Sequence, residues 1–152
     1  MNAHLNAHSS DLIETYRGTV YPWHCDHMGH MNVMWYVGKF DEATWNLFAV
    51  MGVTAAFLRE NQRGMAAVQQ NITYRRELLA GDTVLVRSAF LEVRDKVSKF
   101  VHEMCHAQTG EIAAICVLTG VSIDALTRKS CPFPQDLVAR AQALVRAYAV
   151  PS

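Results

Sequence analysis

The order of hydrophobic and polar positions along the chain predicts one long helix among β-strands. Residues 12–23 alternate and are rich in β-branched and aromatic side chains, which is typical of a strand. From Asn32 to Met51, apolar residues recur at helical spacing and also fill most of the remaining surface. A helix that is apolar nearly all round is usually buried, so we expect it at the centre of the fold. The polar strip that remains on this helix consists of Lys39, Asp41, Glu42 and Asn46.

The rest of the chain is predicted to be mainly antiparallel sheet. Asn32 is a suitable N-cap for the long helix and Gly52 a suitable stop, and a short second helix follows at residues 53–61. Four segments then alternate or carry β-branched runs, separated by turn residues at hairpin spacing, over residues 65–77, 83–94, 97–108 and 112–124. An amphipathic helix over 134–148 closes the chain. This order predicts an α+β fold in which an antiparallel sheet wraps around the central helix.

Length and charge narrow the class of protein. The 152 residues suit a single domain, which we place at residues 12–152 behind a loose arm of residues 1–11. Fourteen Lys and Arg balance fourteen Asp and Glu, so neither a nucleic-acid binder nor a polybasic membrane anchor is expected. A neutral chain that is 51% hydrophobic is expected to close its surface in a homo-oligomer. The polar N-terminus, the absence of a bilayer-length apolar run and four cysteines without a CxxC pair predict a cytoplasmic protein.

The densest polar cluster lies just before the predicted central helix. Residues 24–32 have the sequence His-Cys-Asp-His-Met-Gly-His-Met-Asn. Polar side chains at the start of an apolar helix cost free energy unless they contact solvent or serve in binding or catalysis. A helix N-terminus offers unpaired N–H groups and a partial positive charge, which can hold a developing oxyanion. A carboxylate beside such donors, here Asp26, can attack a carbonyl or activate water. The cluster therefore indicates acyl chemistry.

The stretch from Asp26 to Asn32, with the residues that follow to Glu42, resembles the D-x-x-G-H-x-N signature of hotdog-fold acyl-CoA thioesterases. The similarity is to the 4-hydroxybenzoyl-CoA thioesterase-like group. Residues 72–82 and 121–134 also resemble strand-and-turn patterns of that family, so the resemblance covers nearly the whole domain. It implies a hotdog fold, an acyl-CoA substrate, and a homodimer or homotetramer with active sites at the subunit interface.

The resemblance also assigns roles residue by residue. Asp26 matches the catalytic aspartate, which acts as nucleophile or general base on the thioester carbonyl. Backbone N–H groups of residues 32–34 would polarise the carbonyl oxygen. His30 and Asn32 match motif positions, and we expect them to position or hydrogen-bond the reacting groups. No metal or cofactor is implied, and Glu42 is an alternative carboxylate because some hotdog thioesterases use one on the helix.

Two sets of side chains are candidates for substrate binding. Arg128 and Lys129 follow the last strand, where the family places contacts to the coenzyme A phosphates; Arg75 and Arg76 are alternatives, and either pair could be an ordinary solvated edge. The candidates around the acyl group are Trp23, His27, Trp35 and Tyr36. For the aromatic side chains, with Trp45, the core is the first expectation, and the acyl pocket is the alternative. An aromatic pocket could hold a cationic acyl group such as betainyl, and a small neutral acyl or aroyl group is equally compatible.

Other interpretations of the same residues stay open. His24, His27 and His30 could bind a metal, although metal ligands usually come from separated segments or from helical spacing. Cys25 beside the aspartate could be a thiol nucleophile, although no Cys–His–Asn order supports it. The alternative functions are a non-catalytic acyl-CoA binding or sensor module, and a hotdog hydratase or dehydratase of enoyl thioesters. Saturable release of coenzyme A would exclude the sensor.

Overall fold

The computed structural model describes residues 11–151 and confirms the α+β architecture. A five-stranded antiparallel sheet carries the long helix on one face, and the strand order is β1-β3-β4-β5-β2. The elements in chain order are β1 (Ile13–Thr19), α1 (Val33–Met51), α2 (Ala55–Glu60), β2 (Arg63–Tyr74), β3 (Thr83–Val93), β4 (Val97–His106), β5 (Ile112–Asp124) and α3 (Gln135–Gln142). A short 3-10 helix, Pro22–His24, precedes α1. The predicted loose arm lies almost entirely outside the described residues.

Both edges of the sheet are formed by strands whose partners lie far along the chain. β1 pairs with β3, with Ile13 opposite Ser88, and β2 pairs with β5, with Arg63 opposite Asp124. The predicted succession of four neighbouring strands is therefore wrong for β2. The turn at Gly81–Asp82 does not join a hairpin, because β1 occupies the free side of β3. The hairpins β3–β4 and β4–β5 form as predicted, and β2 is left as a 12-residue edge strand.

Helix α1 is held on the sheet by a cluster of aromatic rings. Phe48 meets Phe100 edge to face at 5.3 Å between ring centroids, and it tilts against Phe90 at 6.4 Å. Phe40, about two turns earlier on the neighbouring side of the helix, is fully buried. Burying a ring of this size stabilises a fold by roughly 1.5–3 kcal/mol. These rings therefore fix the face of α1 that packs on the sheet.

Residues 11–151 do not cover the opposite face of α1. The prediction of burial nearly all round is wrong, because the sheet lies on one side of the helix only. The exposed apolar side chains of α1 are Val33, Met34, Val37, Trp45 and Val50. Trp45, a possible core residue from the sequence, is 42% exposed, whereas Lys39 of the expected polar strip is buried. No helix within residues 11–151 has the length and apolar character needed to span a membrane.

Several element boundaries differ from the predicted ones for local reasons. The first strand ends at Thr19 instead of residue 23, because Pro22 begins the 3-10 helix. The last helix ends at Gln142 instead of 148, and the chain then turns at residues 143–144 and bridges Val145 to Phe90. β2 begins and ends two to three residues earlier than predicted.

A line of buried hydrogen bonds ties α1 to three strands. Thr44 Oγ1 on α1 lies 2.8 Å from Nε2 of His102 on β4, and Nδ1 of His102 contacts the hydroxyl of Ser88 on β3. Ser88 Oγ lies 2.7 Å from Oγ1 of Thr15 on β1. His102 is fully buried, and this burial lowers its pKa to about 3, so the ring is neutral at neutral pH. The line fixes where α1 sits across the sheet.

We expect the substitution His102→Gln to reduce the acid sensitivity of the fold. The pKa of His102 falls from about 6.5 in the unfolded chain to about 3 in the folded chain, so below pH 6.5 the unfolded chain binds the extra proton. The free energy of unfolding of the wild type therefore falls with decreasing pH, by up to about 1.4 kcal/mol per pH unit from this group. Urea denaturation between pH 6.5 and 4.5 measures both slopes, and equal slopes in the two proteins would contradict the prediction.

Candidate active site

The polar cluster before α1 folds into a tight turn, which we call the aspartate turn (residues 25–31). Cys25 and Met31 pair across it through an isolated β-bridge, and the N–H of Asp26 donates to the carbonyl of His30 at 3.2 Å. Gly29 has φ of 86°, a left-handed conformation that glycine adopts without steric cost. The turn is therefore closed by its own backbone, and it presents the Asp26 side chain at a fixed place.

The Asp26 carboxylate is held from two sides. Oδ1 accepts the N–H of Met28 at 2.8 Å, and Oδ2 accepts a hydrogen bond from Nδ2 of Asn32 at 2.6 Å. The bond from Asn32 and then that from Met28 lower the pKa of Asp26 below 3.8, and the nearby His30 and His27 add to this. The carboxylate is open to solvent and ionised at neutral pH. It is therefore suited to act as a base or a nucleophile, but not as a proton donor.

Asn32 also begins the helix. Its Oδ1 accepts the N–H of Met34 at 2.9 Å, which is an N-cap, and its own N–H donates to the carbonyl of His24 at 2.9 Å. Among residues 11–151, no group accepts a hydrogen bond from the N–H of Val33. Of the three N–H groups expected at the oxyanion, that of Val33 is thus the free one, at the positive end of the α1 dipole.

A cavity of about 300 Å³ opens beside this N–H, and we call it the helix-start cavity. It is lined by His30, Met31, Val33, Tyr36, Tyr74, Arg75, Arg76 and Glu77. The Tyr36 hydroxyl donates to the carbonyl of Arg76 at 3.0 Å, and burial raises the pKa of Tyr36 to about 12, so it stays protonated. His30 Nε2 lies 3.7 Å from Oε1 of Glu77. The cavity thus joins His30 and Tyr36, as predicted for the site, to residues that follow β2.

The two predicted tryptophans lie elsewhere, in a second cavity between β1 and α1, which we call the β1-side cavity. Trp23 is 66% exposed and stacks on Tyr21 with ring centroids 4.5 Å apart. Trp35 is tilted against His24 at 4.3 Å. The aromatic residues expected around one acyl group are therefore divided between two cavities, with Tyr36 in the first and Trp23 and Trp35 in the second. His27 is exposed on the aspartate turn.

Arg128 and Lys129 lie far from Asp26 within one chain. They follow β5 in an exposed turn, where the N–H of Arg128 donates to the carbonyl of Asp124. Asp124 pairs with Arg63 at the start of β2, whereas the helix-start cavity lies beyond the end of β2. At about 3.3 Å per residue the two ends of β2 are about 35 Å apart. A single chain therefore does not bring this pair to the aspartate turn.

Several residues that were not the first choice from the sequence line cavities near α1. Arg75 and Arg76 lie beside the aspartate turn; Arg76 forms an ion pair with Glu111, and Arg75 donates to the carbonyl of Pro151. A third cavity of about 220 Å³, the β2-side groove, lies between α1 and the strands β2 and β5. Its lining includes Val37, Asp41, Trp45, Phe48 and Gln70. Val37, Asp41 and Trp45 are spaced by four residues, so they lie on one side of the helix. This spacing could have identified Asp41, instead of Glu42, as the helix carboxylate that lines this groove.

Two histidines of the polar cluster contact different partners, and the third, His27, is exposed. His24 Nδ1 accepts the N–H of Tyr21 at 3.0 Å, while His30 faces Glu77. Within the described part of the chain, no three His, Cys, Asp or Glu side chains are grouped so that they could hold a metal ion.

Known proteins match this chain over most of its length. The sequence profile of the thioesterase-like superfamily matches residues 20–141. The chain belongs to this superfamily. A betainyl-CoA thioesterase from Pseudomonas aeruginosa is 26% identical to this thioesterase-like chain over 141 residues, which are 91% of the chain and 87% of that protein.

Solved structures share the fold. A hypothetical protein from Staphylococcus aureus in complex with CoA has a TM-score of 0.83 at 20% identity, over 92% of this chain and 89% of that chain. A 1,4-dihydroxy-2-naphthoyl-CoA thioesterase from Synechocystis has a TM-score of 0.76 at 18% identity, over 88% and 97%. These comparisons confirm the predicted hotdog fold, and the superfamily match confirms the enzyme class, a thioester hydrolase.

We expect the substitution Asn32→Asp to move the acid limb of the kcat/KM profile to higher pH. Aspartate still caps the N–H of Met34, but it places a second carboxylate beside Asp26. The like charge raises the pKa of Asp26 by about one unit or more. Asn32→Ser keeps a cap without the charge and is the control, and thermal unfolding confirms that each variant is folded. An acid limb at the wild-type pH in Asn32→Asp would count against a catalytic Asp26 carboxylate held by Asn32.

Proposed function

We propose that the protein hydrolyses the thioester of a small acyl-CoA to the free acid and coenzyme A. One observation carries the proposal: the Asn32 side chain holds the ionised carboxylate of Asp26 and also caps the N–H of Met34, which leaves the neighbouring N–H of Val33 free at the start of α1. Ester-type hydrolysis needs a base or nucleophile together with an oxyanion donor, and these two groups supply both. The relative from Pseudomonas aeruginosa, a betainyl-CoA thioesterase, supports a CoA thioester as the substrate.

The reaction follows from the positions of these groups. The thioester carbonyl oxygen accepts a hydrogen bond from the N–H of Val33, where the positive end of α1 stabilises the charge that develops on that oxygen. Asp26 takes a proton from a water molecule that attacks the carbonyl carbon, or it attacks the carbon itself and forms an anhydride that water then cleaves. In both routes the C–S bond breaks, and the thiolate leaves as coenzyme A and gains a proton. The hydrogen bonds from Met28 and Asn32 keep the carboxylate aimed throughout.

The complete site is proposed to lie at a subunit interface. β2 is an edge strand whose outer side is unpaired within the described chain, and an exposed edge of this length favours pairing with another strand. Val37 and Trp45 on α1 are exposed apolar side chains that line the β2-side groove, and Val68 on β2 itself is also exposed. Antiparallel pairing of two β2 strands about a two-fold axis would extend the sheet to ten strands and cover these side chains.

Such pairing gives Arg128 and Lys129 a place in the site. It sets the Arg63 end of one β2 beside the Tyr74 end of the other, so the turn after β5 in one subunit approaches the helix-start cavity of its partner. The chain has no net charge to attract an anion from a distance. Binding of the coenzyme A phosphates then depends on a few local cations, for which these two and Arg75 are the candidates.

A cationic acyl group is the form of substrate that the lining of the β2-side groove favours. Asp41 and the rings of Trp45 and Phe48 line that groove, and a carboxylate with aromatic faces suits a quaternary ammonium group. Asp41 lies nine residues along α1 from Asn32, about 14 Å, which is beyond the span of a small acyl group. The groove would therefore serve the site of the partner subunit. Betainyl-CoA is accordingly the first substrate to test, with neutral and aromatic acyl groups beside it.

We expect Asp26→Asn to fold normally and to lose at least about tenfold in turnover, because the amide neither activates water nor attacks the carbonyl. Release of the coenzyme A thiol is followed over a panel of short, branched, aromatic and cationic acyl-CoAs. Asp95→Asn, an exposed carboxylate in the β3–β4 turn, is the matched control and should keep wild-type turnover. Near wild-type hydrolysis by Asp26→Asn would refute the assignment. Ligand binding by the wild type without any thiol release would favour the sensor instead.

We expect the double substitution Arg128→Ala and Lys129→Ala to raise KM for acyl-CoA by about tenfold with little change in kcat, because two phosphate contacts are lost. The same acyl group on N-acetylcysteamine, which has no phosphates, should show no change in KM. Arg94→Ala with Lys96→Ala, in the β3–β4 turn, removes the same charge and is the control. An unchanged KM for acyl-CoA, or an active enzyme that sediments as a 17.0 kDa monomer, would contradict the interface arrangement.

A further inference from the structure

Lys39, in the middle of α1, is a buried cation, and the described part of the chain places no anionic partner beside it. It is 3% exposed, and its Nζ donates to the Tyr16 hydroxyl at 2.9 Å and to the carbonyl of Thr19 at 3.4 Å. Within residues 11–151, no carboxylate lies within salt-bridge distance of it. An ammonium group carries three protons that can be donated, so one donor remains. A buried charge of this kind is costly unless an opposite charge compensates it.

The Tyr16 side chain packs against the Lys39 ammonium group and holds it in place. The Tyr16 ring folds back over Gly18, where any Cβ would collide with the tyrosine hydroxyl. Lys39 Nζ also lies 5.2 Å from the centroid of the same ring, in a cation–π contact. The Tyr16 hydroxyl accepts from Lys39 and keeps its own proton to donate. Two donors, one charged and one neutral, therefore stand side by side.

Both donors line the β1-side cavity, which has a volume of about 620 Å³. Its remaining walls are mostly aromatic and come from Tyr21, Trp23, His24 and Trp35. Gly38 also lines it, and no atom lies within 4 Å of the position that a Cβ would take there, so the space above this turn of the helix is open. Glu42, which is exposed, stands at the rim three residues after Lys39.

We propose that the β1-side cavity binds a small organic monocarboxylate at a site distinct from Asp26. The carboxylate accepts hydrogen bonds from Lys39 Nζ and the Tyr16 hydroxyl, and the body of the ligand lies against the rings of Trp35 and Trp23. Glu42 at the rim repels a second negative charge, which restricts the ligand to one carboxylate. Thioester hydrolysis releases a carboxylic acid, so this site suits acids of the kind that the enzyme would form, without a part in the bond cleavage.

Benzoate is the probe, titrated into the whole protein by calorimetry and by tryptophan fluorescence, with benzamide and terephthalate beside it. We expect benzoate to bind, benzamide to bind at least about tenfold more weakly because it lacks the charge, and terephthalate to bind more weakly than benzoate because of Glu42. Lys39→Met, which keeps the length of the side chain, should weaken benzoate by about tenfold or more. Tyr16→Phe should weaken benzoate binding by a smaller factor than Lys39→Met does. Glu42→Gln should raise the affinity for terephthalate to near that for benzoate.

Two controls separate this site from the others. Lys99→Met, an exposed lysine on β4, removes the same charge and should bind benzoate as the wild type does. Asp26→Asn should also keep benzoate binding, since the two sites are separate, whether or not the proposed hydrolysis is correct. Equal binding of benzoate and benzamide, wild-type binding by a folded Lys39→Met, or loss of binding only in Asp26→Asn would each overturn the proposal. If Lys39→Met does not fold, the benzoate and benzamide comparison in wild type and Tyr16→Phe decides.

Discussion

One side-chain amide, that of Asn32, connects the start of the central helix to the carboxylate beside it. Its oxygen caps the N–H of Met34 and its nitrogen holds Asp26 at 2.6 Å. Both ends of the amide are used, so rotating it would break both hydrogen bonds at once. An N-cap of this type stabilises a helix by about 1 kcal/mol. Because the cap uses Met34 and leaves Val33 without an acceptor, the interaction that begins α1 also determines which N–H remains for a substrate.

Helix α1 presents three different surfaces, and this explains why it is apolar nearly all round without being buried all round. Its aromatic face packs on the sheet. The line Trp35, Lys39 and Glu42, spaced by four and three residues, borders the β1-side cavity. The line Val37, Asp41 and Trp45, spaced by four residues, borders the β2-side groove. Each stripe combines aromatic or aliphatic side chains with one or two charged ones, which is a composition suited to contact with ligands or another subunit.

The sequence predicted the features that depend on neighbouring residues, and it failed where distant residues decide. The span of α1, its N-cap at Asn32 and the aspartate turn are local, since periodicity and capping chemistry determine them. The partner of β2 is 40 or more residues away, so turn residues alone suggested the wrong neighbour. Lys39 was assigned only to a polar strip of the helix, because nothing nearby in the sequence shows that Tyr16 and Thr19 approach it. The sequence likewise did not show that Trp23 and Trp35 line a different cavity from Tyr36, because distant strands form the walls of both cavities.

The pairing of both edge strands with late segments has a consequence for how the chain is made on the ribosome. β1 cannot pair until β3 has been synthesised, because residue 13 pairs with residue 88. In the same way β2 cannot pair until β5 has been synthesised, because residue 63 pairs with residue 124. During synthesis the apolar α1 emerges before either hairpin that will support it. Topologies with such distant pairings fold slowly, because long loops must close before their contacts form. The nascent protein therefore carries an unsupported apolar helix and an open strand until most of the chain has been translated, and both are surfaces that favour aggregation in a partly made chain.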